Sequence, residues 1–269
     1  MIPAAFEYAR ASSVGEASSL LAHYGEDAKI LAGGQSLIPV MRLRLAQPTA
    51  IVDINPIREL NYLVVENGRL RIGALVRHVE LMSSPVVRQN LPILADVATE
   101  VGDNQVRNLG TIGGVIAHAD SAGDYPTLAL MLDAEIVTNQ RRHRAQDFFQ
   151  GLFTTPLATD EVVCEITFPV TSGPHKYIKF RRRRFDWAIV GVGAQQTVDG
   201  WRIALTNVGP TPVRATAVER ALAAGESPAI AAELASEGLN PSSDIRATPD
   251  YKRHLARVLT QRAIEQAQP

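Results

Sequence analysis

The sequence has a single cysteine, Cys164, in 269 residues. One cysteine excludes an internal disulfide. It also excludes a four-cysteine zinc or iron–sulfur site built from this chain alone. Long apolar runs are missing too, since no stretch approaches the roughly 20 residues that a membrane span requires. The N-terminal MIPAAFEYAR has neither a basic start nor an apolar core, so no signal peptide is read there. Neither sign of charge is in excess: 27 Lys and Arg against 28 Asp and Glu give a net of −1. That balance offers no general attraction for nucleic acid or a membrane surface. A hydrophobic content of 46% with 20% charged residues is ordinary for a globular chain. The expectation is a cytoplasmic protein, long enough for two domains rather than one.

Against this plain background two glycine pairs stand out. One closes the run Ile30-Leu31-Ala32-Gly33-Gly34-Gln35-Ser36-Leu37, and the other lies in Thr111-Ile112-Gly113-Gly114-Val115. Each joins a strand-like run to a helix-like run. Glycine lets backbone come close to a ligand, because no Cβ intervenes and positive φ carries no penalty. Backbone amides at a helix start favour anions, so two such loops suggest one phosphate-bearing cofactor held from two sides. Ser36 is placed either to cap its helix or to bind a phosphate oxygen, and Gln35 could do the latter. Asp124 is too acidic to meet phosphate but suits sugar hydroxyls. Spacing alone leaves the alternative equally open: two turns, and an aspartate that caps a helix.

The rest of the chain supplies local signals. Ser13 to Glu16 fits a capping box before a helical stripe. Lys29 to Ala32 and Ile51 to Ile54 read as short strands, making the first 55 residues a small α/β unit. Asn67-Gly68 predicts a hairpin over Tyr62 to Leu75. Ser84-Pro85 and Asn90 to Pro92 each offer a cap with proline near the first helical position. Ile93 to Val101 and the run opened by Asp124-Tyr125-Pro126 read as helices, and Glu135 to Val137 and Glu161 to Phe168 as strands. Thr171 to Pro174 is a linker. Beyond it three strands are expected, the last two joined at Asp199-Gly200, and then three helices, the final one starting at Thr248-Pro249.

Several motifs lead nowhere. Gly34 to Ile38 starts like a nucleophile elbow but lacks its closing glycine. Gly191-Val192-Gly193 resembles a truncated dinucleotide fingerprint, yet no helix follows, so it reads as a close-packed strand. His118 and Asp120 lack a third metal ligand, and Cys164 reads as a small hydrophobe in a strand. The run Arg181 to Arg184 is expected in a strand, either as a solvated edge or as a contact with a partner or cofactor.

At these residues the chain resembles the FAD-binding subunits of molybdenum hydroxylases, a group that includes the medium subunit of carbon monoxide dehydrogenase and the flavin domain of xanthine dehydrogenase. The resemblance rests on AGGQSLIPVMRLRLAQP and QVRNLGTIGGVIAHADSAGD for the two loops, with GPTPVRAT and DYKRHLARVL toward the C-terminus. It implies an α+β fold: an N-terminal two-part FAD-binding domain of the vanillyl-alcohol-oxidase type over residues 1–172, split into a small α/β part (1–56) and a larger α+β part (57–172). A C-terminal domain, residues 173–269, would hold a three-stranded antiparallel sheet with helices. It implies FAD in this chain, with the molybdopterin cofactor in a large partner subunit and two [2Fe–2S] clusters in a small one. Together they would form a heterotrimer or its dimer. The single cysteine agrees, because no cluster can reside here. Carried over residue by residue, the cofactor positions are Ile30 to Leu37, Thr111 to Val115, Asp124, Val163 and Lys179, with Val101 beside the ring. Val115 departs from the pattern, since relatives often have Asn, Ser or Asp there. The chemistry implied is electron transfer from the clusters to NAD, a quinone or another carrier, with no acid–base or nucleophilic residue in this chain. A stand-alone NAD(P)H-dependent flavin reductase and a non-catalytic scaffold are the alternatives.

Overall fold

The computed structural model describes residues 2–267. The chain opens with β1 (Glu7–Arg10), α1 (Val14–Tyr24), β2 (Ala28–Leu31), α2 (Leu37–Arg42) and β3 (Ala50–Asp53). These strands form a three-stranded parallel sheet in the order β1-β3-β2. The central β3 is buried along its whole length, as its Ala-Ile-Val-Asp sequence requires of a middle strand. Ala17 and Leu21 of α1 cover the sheet. Ser13 accepts from the Glu16 amide as a cap should, but the Glu16 carboxylate returns to Ser12 rather than to Ser13.

A larger unit follows: β4 (Leu63–Glu66), β5 (Arg69–Gly73), α3 (His78–Ser83), α4 (Pro85–Asn90), α5 (Pro92–Glu100), α6 (Asn104–Leu109), α7 (Ile112–His118), α8 (Asp124–Met131), β6 (Glu135–Thr138), β7 (Arg142–Arg144), α9 (Ala145–Phe148) and β8 (Val163–Pro169). Its five-stranded antiparallel sheet runs β4-β5-β8-β6-β7. The β4–β5 hairpin turns at Asn67 and Gly68 with φ of 52° and 71°, the left-handed pair that a type I′ turn demands. Ser84 caps α4 as expected. Asn90 does not cap α5; its side chain donates back to the Val86 carbonyl, and Leu91 takes the cap position.

The C-terminal unit holds β9 (His175–Phe180), β10 (Val190–Thr197), β11 (Gly200–Thr206), β12 (Val213–Arg214), α10 (Thr216–Ala223), α11 (Pro228–Glu233) and α12 (Pro249–Glu265). The sheet is antiparallel in the order β12-β11-β10-β9, one short strand more than the sequence suggested. The arginine run lies outside it. Pairing ends where Phe180 meets Val190, and Arg181 to Arg184 enter the connecting loop. Arg181 pairs with Glu100, while Arg182 to Arg184 face solvent. Gly191 and Gly193 are close-packed strand residues. A Cβ on Gly193 would lie 2.9 Å from Met131 Sδ, so the bare strand lets α8 settle on the sheet. Buried on nearly every side, α8 is the seam between the larger unit and this sheet. No helix among the described residues is long and apolar enough to cross a membrane.

One buried charge cluster fixes the connection that leads into β8. The Glu161 carboxylate accepts from Arg141 Nε at 3.1 Å, the Ala158 amide at 3.0 Å, His143 Nε2 at 2.9 Å and Thr138 Oγ1 at 2.7 Å. Burial raises its pKa, but the hydrogen bonds, led by Arg141, outweigh it and bring the value down to about 2. A depressed carboxyl pKa contributes stability that is complete above the ordinary value near 4.5 and is lost as pH falls toward 2. Glu161→Gln should therefore lower the urea midpoint clearly at about pH 7, with the gap to the parent narrowing by about pH 3. Midpoints from intrinsic fluorescence at both pH values check this, and a gap that widens on acidification would contradict it.

Candidate functional site

The first glycine loop leaves the carboxyl end of β2, beside that of β3, and runs into α2. This is the edge of a parallel sheet where ligands are usually received. Ile30 and Leu31 sit in the ladder opposite Val52 and Asp53. Gly34 has φ of +71°, which lets the chain reverse into the helix. The amides of Gly33, Gly34, Gln35, Ser36 and Leu37 have no acceptor among the described residues. These residues are half-buried rather than enclosed. Ser36 occupies the cap position of α2, but its hydroxyl makes no capping bond and stays free. Gln35 Nε2 lies 3.4 Å from the Gly33 carbonyl, a weak contact that holds little.

The second loop is laid along the segment that follows β5. The Gly113 amide donates to Ala74 O at 2.9 Å and the Ile112 amide to Val76 O at 3.0 Å, while the His78 amide donates to Gly110 O at 3.1 Å. Thr111 caps α7, accepting from Gly114 N at 3.2 Å, and its carbonyl takes the Val115 amide at 3.1 Å. The amides of residues 112–115 are thus spent inside the protein. The second set of phosphate-facing donors expected from the glycine spacing is not free. Ile112 is wholly buried, and Val115 is half-buried against the main core.

The glycines serve different ends. A Cβ on Gly33 would stand 2.5 Å from Leu109 O and 2.7 Å from Gly110 Cα, so its bareness lets the two loops touch. A Cβ on Gly113 would stand 2.5 Å from Ala74 Cβ, so that glycine serves helix-to-strand packing. Gly114 differs. Beyond the Thr111 hydroxyl at 2.8 Å, the nearest atom to its Cβ would be Ala32 Cβ at 4.0 Å. Gly114 therefore lies beside Ala32 where the loops meet, close enough that a Cβ there would reach van der Waals contact with it.

Asp124 is buried at the start of α8. Tyr177 Oη donates to its Oδ1 at 2.7 Å and Lys179 Nζ to its Oδ2 at 2.8 Å; Lys179 also donates to Glu100 O at 3.1 Å. Burial pushes the Asp124 pKa up, and the Lys179 charge with the two hydrogen bonds opposes it. The structure thus joins two residues named separately from the sequence, spending each partly on the other across the seam between α8 and β9. Val163 is buried in β8, in the same core cluster as Ile112 and Ile116 of α7. Val101 follows the end of α5. Cys164 is half-buried, and burial pushes its thiol up to about 11, so no nucleophile resides there. His118 stacks on Phe153, and the described residues contain no metal-binding cluster.

Reading the sequence missed Asn55, Arg77, His78 and Tyr177. None belongs to a motif. The side chains of Asn55 and Arg77 tie the two loops together, the His78 ring packs on Gly110, and Tyr177 serves Asp124. The only local hint was the polar Asn55 two residues beyond a buried strand.

Removing the cation from the Asp124 pair should be severe. Lys179→Met strands a buried carboxylate and should cost about 3–5 kcal/mol of unfolding free energy. Pairing it with Asp124→Asn should recover part of the loss. Chemical denaturation of the three variants checks this, and a Lys179→Met chain as stable as the parent would contradict the pairing.

Comparison with known proteins agrees with this architecture. The family described as FAD binding domain in molybdopterin dehydrogenase matches residues 4–171, and the CO dehydrogenase flavoprotein C-terminal domain matches residues 175–267. The chain is 40% identical to the carbon monoxide dehydrogenase medium chain of Hydrogenophaga pseudoflava, covering 99% of this chain and 98% of that one. It is 36% identical to the glyceraldehyde dehydrogenase medium chain of Sulfolobus acidocaldarius, covering 99% of each. Among solved structures, carbon monoxide dehydrogenase from Hydrogenophaga pseudoflava superposes with a TM-score of 0.93 at 41% identity, over 99% of this chain and 98% of that chain. Quinoline 2-oxidoreductase from Pseudomonas putida 86 does so at 0.94 and 34%, again over 99% and 98%. With its two domain types in order along one chain and its glycine loops in contact, this protein belongs to the family of FAD-binding medium subunits of molybdenum hydroxylases.

Proposed function

We propose that this chain is the electron-relay subunit of a three-subunit molybdenum hydroxylase, receiving electrons from [2Fe–2S] clusters in a small partner and passing them to a soluble or membrane carrier. The observation that carries the cofactor placement is the row of unpartnered amides from Gly33 to Leu37 in half-buried backbone, beside the bare Gly114 of the second loop. A diphosphate brings about two negative charges, and unpaired backbone donors are the groups that receive them without a counter-charge. The residues present fit that group. Gly33 to Leu37 donate to the diphosphate, with the free Ser36 hydroxyl as a further donor. Ala32 and Gly114 lie close together where the two loops meet. Thr111 to Val115 act through shape, because the amides of 112–115 are already used. Ile30 and Leu31 anchor the first loop in the sheet.

Asp124 and Lys179 act as a buried pair that fixes α8 and β9 beside the cofactor. A carboxylate has about four lone-pair sites. Tyr177 and Lys179 each fill one of those on Asp124, so acceptor capacity remains for a ribityl or ribose hydroxyl. Val163 supplies an apolar floor. Val115 brings no polar side chain where relatives often have one, which leaves the backbone and the first loop to hold the cofactor. FAD, when bound, accepts electrons singly and releases them in pairs. The chain contributes binding, orientation and insulation, and its single cysteine cannot supply the four thiolates of a cluster.

Two measurements test this. Affinity capture of the chain from its native cell should bring flavin, iron and molybdenum with a large and a small subunit. Flavin alone, with NADH-dependent dye reduction, would instead mark a stand-alone reductase, and a colourless chain without partners would sink the relay. In the purified chain, Gly114→Val should abolish flavin retention, because the branched side chain presses on the Thr111 hydroxyl and on Ala32 beside the row of free amides. Gly33→Ala should lower both flavin content and stability, the latter by about 1–3 kcal/mol, because its Cβ collides with the Leu109 carbonyl. A Gly114→Val chain that keeps stoichiometric flavin would refute the placement.

A further inference from the structure

Two side chains outside both glycine loops join them. Asn55, just beyond β3, donates through Nδ2 to Ala32 O at 2.8 Å and to Asp53 Oδ1 at 2.7 Å. Its Oδ1 accepts from Arg77 NH2 at 2.6 Å, and Arg77 NH1 donates to Leu109 O in the second loop. The chain of contacts therefore runs from the Ala32 carbonyl through Asn55 and Arg77 to the Leu109 carbonyl. Leu109 O is also the atom that a Gly33 Cβ would strike. The orientation of the Asn55 amide is determined. Reversing it would set its oxygen against the Ala32 carbonyl and the Asp53 carboxylate, and its NH₂ against a guanidinium. Asp53 is itself held by Tyr8 Oη at 2.6 Å and by the Asn55 amide at 2.9 Å.

Packing does not explain Arg77. The guanidinium borders an open cavity of about 310 Å³ lined by Asn55, Ile57, Arg58, Asn61, Leu75 and itself. Among the described residues it has no carboxylate within ion-pair distance. Both of its acceptors are neutral. A planar fork that reaches two acceptors at a fixed angle is what arginine offers and lysine does not.

We infer that Asn55 and Arg77 form a positioning bracket that sets the spacing of the two loops, and through it the affinity for the cofactor's diphosphate. This rests on the FAD reading above. The loops come from different units, β2–α2 of the small sheet and α6–α7 of the larger one. Where Gly33 meets Leu109 and Gly110, backbone approaches backbone with no side chain between. Glycine contacts permit close approach but do not hold it, because two backbones without complementary donors have little mutual attraction. The bracket supplies the holding force. It works on the two carbonyls, leaving the amides of Gly33 to Leu37 free for the ligand.

The test uses the full chain carrying Asn55→Ala, Arg77→Ala, Arg77→Lys or the double alanine change. FAD affinity is measured by quenching of flavin fluorescence. Amide hydrogen exchange over residues 32–37 and 109–115 is measured on the flavin-free protein. Each alanine variant should weaken FAD binding by about tenfold or more, the scale of one lost charge-assisted hydrogen bond. The double variant should be little worse than the worse single one, since both changes break the same link. Both loops should exchange faster in the flavin-free variants. Arg77→Lys separates position from charge. It should stay well below the parent, whereas full recovery would mean that only the positive charge mattered and would overturn the bracket. So would affinities within about twofold of the parent in both single variants. A parent chain that binds no FAD would sink the flavin reading but not the bracket, which the exchange rates would still decide: unchanged rates in Arg77→Ala overturn it.

Discussion

The approach of Gly33 to the backbone of Leu109, Gly110 and Thr111 is the constraint on which the rest depends. It brings a loop of a three-stranded parallel sheet against a loop of a separate antiparallel unit, with no side chain between them. The two glycine loops are arranged around that meeting. The first loop keeps its amides free because it only has to turn, with Gly34 taking the positive φ. The second gives up its amides because it must be held against residues 74–78 as a strand would be. One loop is a donor row, and the other is a wall set at a fixed distance from it.

A second constraint lies at the seam between the larger unit and the C-terminal sheet. Helix α8 is buried nearly all round, and its first residue is an aspartate. A buried carboxylate needs partners, and these come from the C-terminal sheet: Tyr177 and Lys179, two positions apart on β9 and so on one face of that strand. The bare Gly191 and Gly193 of β10 open the space that brings the sheet this near. The C-terminal unit therefore does more than append a sheet to a flavin domain. It neutralises a charge that the larger unit has buried.

Some of this was open to reading along the chain. The glycine pairs, the Asn67-Gly68 hairpin, the Thr248-Pro249 helix start and the buried stripe of α12 are written in neighbouring residues. The caps show where such reading fails. Ser36 has the right residue type and position, yet its hydroxyl makes no capping bond. Asn90 has the right type but turns back to the helix behind it. The four arginines suggested a strand by their continuation from Tyr177 to Phe180, but strand length is limited by the partner, and β10 begins only at Val190. Residue type limits what a side chain can do, and its neighbours across the fold select among the possibilities.

Local physics acts within a few residues, so turn chemistry, helical stripes and the positions of the glycine loops follow from the order of amino acids alone. The lone cysteine likewise excluded, before any fold was known, a four-cysteine cluster built from this chain. Which atom each glycine spares could not be read in that way. Gly33 yields to a carbonyl in a loop far along the chain, Gly113 to Ala74, and Gly114 to the hydroxyl of Thr111 that caps its own helix, although all three look alike in sequence. The Asp124–Lys179 pair and the Asn55–Arg77 bracket belong to the same class. They are contacts between residues distant in sequence, and their distances exist only once three sheets and the helices between them have packed.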